Sequence, residues 1–196
     1  MPSDERRAAT VAAVLALAAD CDPGEISTTA IARHMGVTQG ALFKHFSTKD
    51  EVLEAVIAWV ADELLSRIDA AAREAPTTVL ALQAMFMAHA NFLAEHPGVP
   101  RVMLCELQRA GSTAPKRATA ALLAQYAQRL RFLLNRGRDQ GDFDSALDVD
   151  AAATLFVGML QGLVLQSLIA GDIRRIASEA PRVFVIYLRG VVQEAR

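Results

Sequence analysis

The residues whose types and spacing could do specific chemistry fall in one short run. A glutamine amide can form two hydrogen bonds with the edge of adenine, and a lysine ammonium can donate to guanine. Gln39 and Lys44 supply these two groups, and Ala41 can meet a thymine methyl if it faces outward. Together with Gly40 and Phe43, they form a surface that we expect to contact bases in the major groove of DNA.

Two short helices around a tight turn must position this surface. Thr28 or Thr29 can cap the first helix, because a hydroxyl satisfies amide donors that are left open there. Gly36 can end that helix with a left-handed backbone angle, and Thr38 can cap the second helix. The apolar spacing predicts the buried side of the second helix, which is Leu42 and Phe46.

The continuation of this pattern is similar to the signature of TetR/AcrR transcriptional regulators. That family usually shows Thr-x-x-x-Ile-Ala, then Gly-Val-Ser/Thr-x-Gly-x-Leu-Tyr-x-His-Phe, and then Lys-x-x-Leu. The matching positions here are Thr28, Ile31, Ala32, Gly36, Val37, Thr38, Gly40, Leu42, Phe43, His45, Phe46, Lys49 and Val52/Leu53. The match covers about a quarter of the chain, and the rest agrees in length and helical character.

The resemblance implies a DNA-binding transcriptional regulator, usually a repressor. It also implies phosphate contacts from four residues, namely Thr28, Thr38, His45 and Lys49. Phe43 stands where most relatives carry Tyr, so the phosphate contact of that hydroxyl cannot be made here. Simpler interpretations stay open: Thr28 and Thr38 only cap helices, His45 only packs or bonds a carbonyl, and Lys44 is only a solvated charge.

The charge of the chain is unevenly distributed. Its 196 residues carry a formal net charge of −2, which does not by itself indicate a nucleic-acid binder. Between Ile26 and Lys49, however, the charged residues are Arg33, Lys44 and Lys49, with no acid among them. Positive charge can therefore concentrate on one small face, although chance clustering of three charges would give the same pattern.

The periodicity and the breaks predict an all-α fold of about nine helices. The two short helices on either side of the Gly36 turn are called the reading pair, and the second of them, which begins after Thr38, is the reading helix. Other helices are expected at about 4–20, 48–74, 77–95, 100–109, 114–139, 148–170 and 179–194. The predicted domains are a helix-turn-helix DNA-binding domain, residues 1–48, and a helical ligand-binding and dimerisation domain, residues 49–196.

The last two predicted helices carry apolar surface that indicates a homodimer. Residues 151–170 are apolar almost all the way round, and the polar groups among them argue against a membrane span. The predicted interface residues are Gly158, Gly162, Val183, Phe184, Tyr187, Gly190 and Val191. Resemblance to the family implies the same contact, which would present two reading helices to a palindromic operator. Alternatively, both helices complete the core of one chain.

Apolar residues of the middle region could line a ligand cavity. The predicted lining is Trp59, Met85, Phe86, His89, Phe92, Met103, Leu104, Phe132, Phe156, Met159, Gln161 and Gln166. In TetR-type proteins such a cavity usually holds a small-molecule inducer, here expected to be apolar or amphipathic. Ordinary core packing is the alternative for each residue. The basic residues between 116 and 138 could select an anionic ligand or form a solvated helix face.

Other classes of function have little support in the sequence. We find no glycine-rich phosphate loop, and His89 and His96 would lie about 10 Å apart on one helix. We therefore expect no enzyme, no metal and no cofactor. The widely separated Cys21 and Cys105 favour a reducing cytoplasm. Arg6-Arg7 before an alanine-rich stretch resembles an export signal, but Asp4 and Glu5 cancel this positive charge. A DNA-organising protein that uses the same reader without an inducer is the main alternative.

Overall fold

A computed structural model describes residues 3–192 of the chain. Within this range nine α-helices form, and the only β pairing is an isolated bridge between Phe143 and Val192. The predicted all-α class is confirmed. The helices are α1 (Ser3–Asp20), α2 (Thr28–His34), α3 (Gln39–Phe43), α4 (Lys49–Glu74), α5 (Thr78–Glu95), α6 (Gly98–Gln108), α7 (Ala114–Gln140), α8 (Val149–Ile169) and α9 (Arg175–Val191).

Most helix ends lie within one or two residues of the predicted ones. Helix α6 begins two residues before its predicted start, and α9 begins four residues before. The sequence predicts a start of α6 near Pro100, whereas this proline is the third residue of the helix. A proline is tolerated there, because the first N–H groups of a helix have no acceptor within it. Helix α9 begins at Arg175 and carries Pro181 inside it. Its predicted end near Glu194 lies outside the described residues.

The caps of the reading pair are partly those expected. Ser27, rather than the threonines that follow it, caps α2, because its Oγ accepts a hydrogen bond from the N–H of Ala30 at 3.1 Å. Thr38 caps α3 as predicted, with its Oγ1 accepting from the N–H of Ala41 at 3.2 Å. Gly36 has a φ of 67°, so the prediction that a left-handed glycine ends α2 is also confirmed.

The chain divides into two compact units, residues 1–62 with 96–122 and residues 63–95 with 123–196. The predicted domain break near Thr48 lies inside the first unit, and α4 contributes residues to both units. In the first unit Leu42 and Phe46 are buried, as the sequence predicts, and so is Ile31 of α2. Burial of these side chains fixes which faces of α2 and α3 stay exposed.

Helix α6 lies unusually close to α1 within the first unit. The approach is possible because Gly98, the first residue of α6, has no side chain. A Cβ at this position would lie 2.1 Å from the carbonyl oxygen of Leu15 in α1. The backbone of α6 is therefore seated directly on the helix that supports the reading pair.

Aromatic rings fill the core of the second unit. Phe86 of α5 and Phe156 of α8 pack edge to face, with ring centroids 5.1 Å apart, and Phe184 and Tyr187 of α9 adjoin them. The hydroxyl of Tyr187 donates a hydrogen bond to the carbonyl oxygen of Ala152 at 3.0 Å. Burial raises the pKa of Tyr187, so this phenol stays protonated at neutral pH.

Replacing Gly98 by alanine should destabilise the protein by about 1–3 kcal/mol, because the added methyl would overlap a backbone carbonyl. Gly40→Ala is the matched control, since no atom lies within 4 Å of an added Cβ in α3. The control should keep or slightly increase stability, as glycine-to-alanine changes within helices do. Urea unfolding followed by circular dichroism measures both variants. An unchanged midpoint for Gly98→Ala would contradict the close approach of α6 and α1.

Candidate nucleic-acid interface

The exposed side of α3 is the candidate DNA-reading surface. This helix has only five residues, and Leu42 anchors it from below. Gln39, Gly40, Phe43 and Lys44 are exposed, while Ala41 is half-buried. The outward orientation predicted for the first four residues is therefore observed, and their contact with DNA stays a prediction.

Gln39 is held by a hydrogen bond across the turn. Its Nε2 donates to Oγ1 of Thr28 at 2.8 Å, which joins the start of α3 to the start of α2. The amide oxygen and the second N–H of the Gln39 side-chain amide remain available. These are the acceptor and the donor that hydrogen bonds with the edge of adenine require. Thr28 thus positions a candidate base-reading side chain, and its own hydroxyl proton can still be donated to a phosphate.

Lys44 and His45 follow α3 and differ in their surroundings. The Lys44 side chain is exposed and forms no hydrogen bond or ion pair with any residue in the range 3–192. The carbonyl oxygen of His45 accepts a hydrogen bond from Nη1 of Arg7 at 3.5 Å. The same guanidinium lies over the ring of Phe46, 4.7 Å from its centroid.

Arg7 is a candidate DNA-contacting residue that the sequence analysis missed. It lies on α1, 38 residues before His45, and is exposed beside the end of the reading helix. Motif spacing cannot find such a residue, because folding alone brings α1 to the reading pair. The Arg6-Arg7 pair was visible in the sequence only as a feature of a possible export signal.

Lys49 is engaged with the backbone of a neighbouring loop. Its Nζ donates to the carbonyl oxygen of Gly24 at 3.0 Å and to that of Pro23 at 3.5 Å. An ammonium has three donors, so one remains for a phosphate. The structure therefore gives Lys49 a positioning role that the sequence did not predict, and its contact with DNA stays a prediction.

A cluster of charges ties α6 to the start of α4 within the first unit. Nη1 of Arg109 donates to Oδ1 of Asp50 at 2.8 Å and to Oε2 of Glu106 at 3.0 Å. The carboxylate of Glu106 is buried, so losing its partner would leave an uncompensated charge. The hydrogen bond with Asp50 is the main cause of a raised pKa at Arg109. Asp50 directly follows the lysine that contacts the loop at residues 23–24.

The predicted ligand-lining residues do not share one environment. Met85, Phe86, Phe92 and Phe156 are buried in the core of the second unit. Gln161 and Gln166 are exposed, because α8 turns a different side toward the core. Their predicted position in an internal cavity is therefore wrong. The remaining members also differ. In the first unit, Trp59 and Met103 are half-buried and Leu104 is exposed. In the second unit, Met159 is half-buried.

His89 has a partner inside the second unit. Its Nδ1 lies 3.1 Å from the hydroxyl of Tyr126, and the two rings are 5.1 Å apart. Burial lowers the pKa of His89 to about 4, so the imidazole is neutral at physiological pH. Burial also raises the pKa of Tyr126. This neutral pair satisfies polar groups within an aromatic core, as the simpler interpretation of the sequence expects.

The second unit also carries a groove of about 720 Å³. Of the predicted ligand-lining residues, only Met85 and Phe132 contribute to its wall. Phe132 is 71% exposed, so its predicted place in an enclosed cavity is wrong, because it lies on the open side of α7. Ligand binding by the predicted set stays a prediction.

Three predicted interface residues of α9 lie in the core of their own chain. Phe184, Tyr187 and Val191 are buried, so they are not available to a second copy in this arrangement. Their burial has a simple cause: α9 has two apolar sides, and the aromatic one packs inward. Of the other predicted interface positions, Gly158 and Gly190 are exposed, and Gly162 and Val183 are half-buried.

The outward side of α8 and α9 nevertheless carries several large apolar side chains. Its large exposed side chains are Leu155, Leu165, Ile169, Val185 and Ile186, of which Ile169 is 79% and Ile186 is 72% exposed. By length and composition, α8 is the one helix in residues 3–192 that could cross a membrane, with a mean hydropathy of 1.7. Only a third of that segment is buried in the chain. Exposed apolar side chains that are grouped in this way are typical of a surface that a partner covers.

Two family models match the chain. The model of bacterial regulatory proteins of the tetR family matches residues 11–56, and the model of the tetracyclin repressor-like C-terminal domain matches residues 77–165. The first match includes α2 and α3 completely, and the second extends from the start of α5 into α8. Both models describe the same family.

Curated relatives include proteins named nucleoid occlusion factor SlmA. The one from Idiomarina loihiensis is 36% identical over 90 residues, which are 45% of this chain and 46% of that protein. The chain thus spans just under half the length of this relative. The one from Shewanella amazonensis is 26% identical over 153 residues, which are 78% of each chain.

Solved structures show the same fold over almost the whole chain. The fatty acid degradation regulator FadR from Bacillus halodurans is 20% identical, with a TM-score of 0.86 over 100% of this chain and 98% of that one. FadR from Bacillus subtilis, solved in complex with stearoyl-CoA, is 18% identical, with a TM-score of 0.83 over 93% and 98%. From both family models and this shared fold, we conclude that the chain belongs to the TetR family of bacterial regulatory proteins and is a DNA-binding transcriptional regulator.

Proposed function

We propose that this regulator is a cytoplasmic repressor that binds a palindromic operator as a homodimer and is released by a small apolar or amphipathic inducer. The observation that carries the proposal is the exposed side of α3, where Gln39 is already oriented by Thr28 and Lys44 is unpaired within residues 3–192. Two such side chains, five residues apart, suit adenine and guanine edges in one major groove.

Contacts with the DNA backbone would surround these base contacts. The candidates are Arg7, Thr28, Thr38, His45 and Lys49. They fix the position of the protein on the duplex without reading its sequence. Their contribution falls as salt rises, because each phosphate contact releases counterions.

The homodimer would be formed by the outward apolar side of α8 and α9. A second copy is the cover that fits this surface, because a two-fold axis pairs an apolar patch with itself. It would also bring two reading helices to two half-sites, which is why the operator is expected to be palindromic. The interface proposed from the structure is centred on Leu165, Ile169 and Ile186, together with the exposed Gly158 and Gly190.

Release by an inducer depends on a difference in affinity. The inducer must bind more tightly to the form of the protein that does not fit the operator than to the form that fits it. The Bacillus subtilis relative was solved with stearoyl-CoA, which supports an amphipathic ligand for this fold. In the first unit, Arg109 and Gly98 join α6 to α4 and α1, so a shift of α6 would disturb the support of the reading pair. We expect inducer binding to act through these contacts.

A second function is favoured by the similarity to nucleoid occlusion factors. The same reading helix could organise DNA by binding many sites, without control of a promoter and without an inducer. Mapping of chromosomal occupancy distinguishes the two functions. We expect a few sites beside regulated genes, whereas dozens of sites spread along the chromosome would replace the repressor proposal by the organising one.

Lys44→Ala should weaken binding to the best site by about tenfold or more, because a base contact of this kind contributes about 1–3 kcal/mol of discrimination. Its binding to random duplex should change much less. Lys49→Ala should weaken binding to both duplexes alike, as expected for a residue that contacts phosphate and positions a loop. The best site is first selected from a random duplex pool, and affinities are then measured at one fixed salt concentration. Equal losses of specificity in the two variants would refute this division of roles.

Ile186→Glu should convert the dimer to monomers, because it places a charge in the centre of the proposed apolar interface. Leu107→Glu is the matched control, since Leu107 is also exposed but lies on α6 of the first unit. Analytical ultracentrifugation gives the mass of each variant, and circular dichroism checks that each remains folded. A folded Ile186→Glu variant that stays dimeric would exclude this interface.

A further inference from the structure

The groove in the second unit combines cationic and apolar side chains. It is formed by the end of α4, the start of α5, the second half of α7 and the loop after α7. Its volume of about 720 Å³ is within the range of small-molecule sites, which is about 300–1,000 Å³. All of its wall belongs to one compact unit. The groove is therefore a candidate binding site that does not depend on the reading surface.

Three arginines line the groove, and two of them are unpaired within the described part of the chain. Nε of Arg129 donates to both carboxylate oxygens of Asp69, at 2.9 and 3.0 Å, so this pair is satisfied. Arg73 and Arg136 are exposed and form no hydrogen bond or ion pair with any residue from 3 to 192. Asp142 is the other acid in the wall. The formal charge of the wall is thus positive by one.

An apolar surface adjoins these charges. Phe132 has most of its ring exposed, and Met85, Ala81 and Leu133 continue the wall inward. A large aromatic side chain that stays in contact with water gains free energy when an apolar ligand covers it. The groove thus offers a guanidinium-rich region, suited to carboxylate or phosphate, next to a region suited to a hydrocarbon or a ring.

We infer that this groove binds an amphipathic anion, with its acidic head between Arg73 and Arg136 and its apolar part on Phe132. The role of the groove as the effector site of the regulator rests on the proposed function. Its binding of a ligand can be tested without DNA. The two arginines favour the anionic head, and Asp142 weakens this preference, because its carboxylate repels an anion and would attract a cation. Neutral ligands would leave both arginines without a partner.

The test uses the full chain and three probes in isothermal titration calorimetry. Dodecyl phosphate has both the anionic head and the chain, dodecyltrimethylammonium has the chain with a cationic head, and inorganic phosphate has the anion alone. Below its micellar concentration, dodecyl phosphate should bind at least tenfold more tightly than either of the other probes. Equal binding of the two dodecyl compounds would overturn the inference, because it would show a purely apolar site.

Variants then test the assigned residues. Arg73→Gln and Arg136→Gln should each weaken dodecyl phosphate binding by about tenfold, which is typical for the loss of one charge-assisted hydrogen bond. Asp142→Asn should tighten it. Arg131→Gln is the matched control, because Arg131 lies on the same helix as Arg136 but pairs with Asp150 outside the groove wall. The inference fails if the control weakens binding as much as the groove variants, or if the groove variants do not weaken it.

Operator binding, measured on the same preparation, separates this inference from the proposed function. A protein that binds its operator but not dodecyl phosphate would overturn the groove assignment and leave the repressor proposal in place. A protein that binds dodecyl phosphate through Arg73 and Arg136 but prefers no duplex would support the groove and refute the repressor.

Discussion

The packing of Leu42 and Phe46 beneath α3 is the interaction on which the rest of the interface depends. A helix of five residues has no stability of its own in water, because its few hydrogen bonds do not repay the cost of nucleation. Its form and direction therefore come from the two buried side chains, together with the hydroxyl cap of Thr38. Once these are fixed, the opposite side must face outward, and Gln39 and Lys44 can meet DNA.

The contacts around the reading pair are short and directional rather than extensive. Gly98 seats α6 on the backbone of α1, Arg109 joins α6 to Asp50 of α4, and Lys49 holds the loop at residues 23–24. A well-packed joint of this kind has few intermediate positions, because small shifts cause overlaps or leave charges unpaired. Such a joint suits the proposed release by an inducer, in which the reading helix is held either in the position that fits the operator or out of it.

The sequence by itself determined the reading pair, its turn and most helix ends. These features are local: a cap, a left-handed glycine and an apolar spacing act within one or two helical turns, so they are visible in a short window. Gly36, Thr38, Leu42 and Phe46 take the roles expected of them. The family followed from the same residues, because their types and spacing in this stretch are unusually specific.

Only the tertiary structure decided which apolar side of a helix is core and which is surface. Helices α8 and α9 are apolar on more than one side, so periodicity could not tell that Phe184 and Tyr187 pack inward while Ile186 stays exposed. Likewise, Arg7 reaches the reading helix, and Phe132 joins Arg73 and Arg136 in one groove, only after distant segments come together. Such contacts join residues that are tens of positions apart, and a pattern within a short stretch of sequence does not show which distant residues will meet.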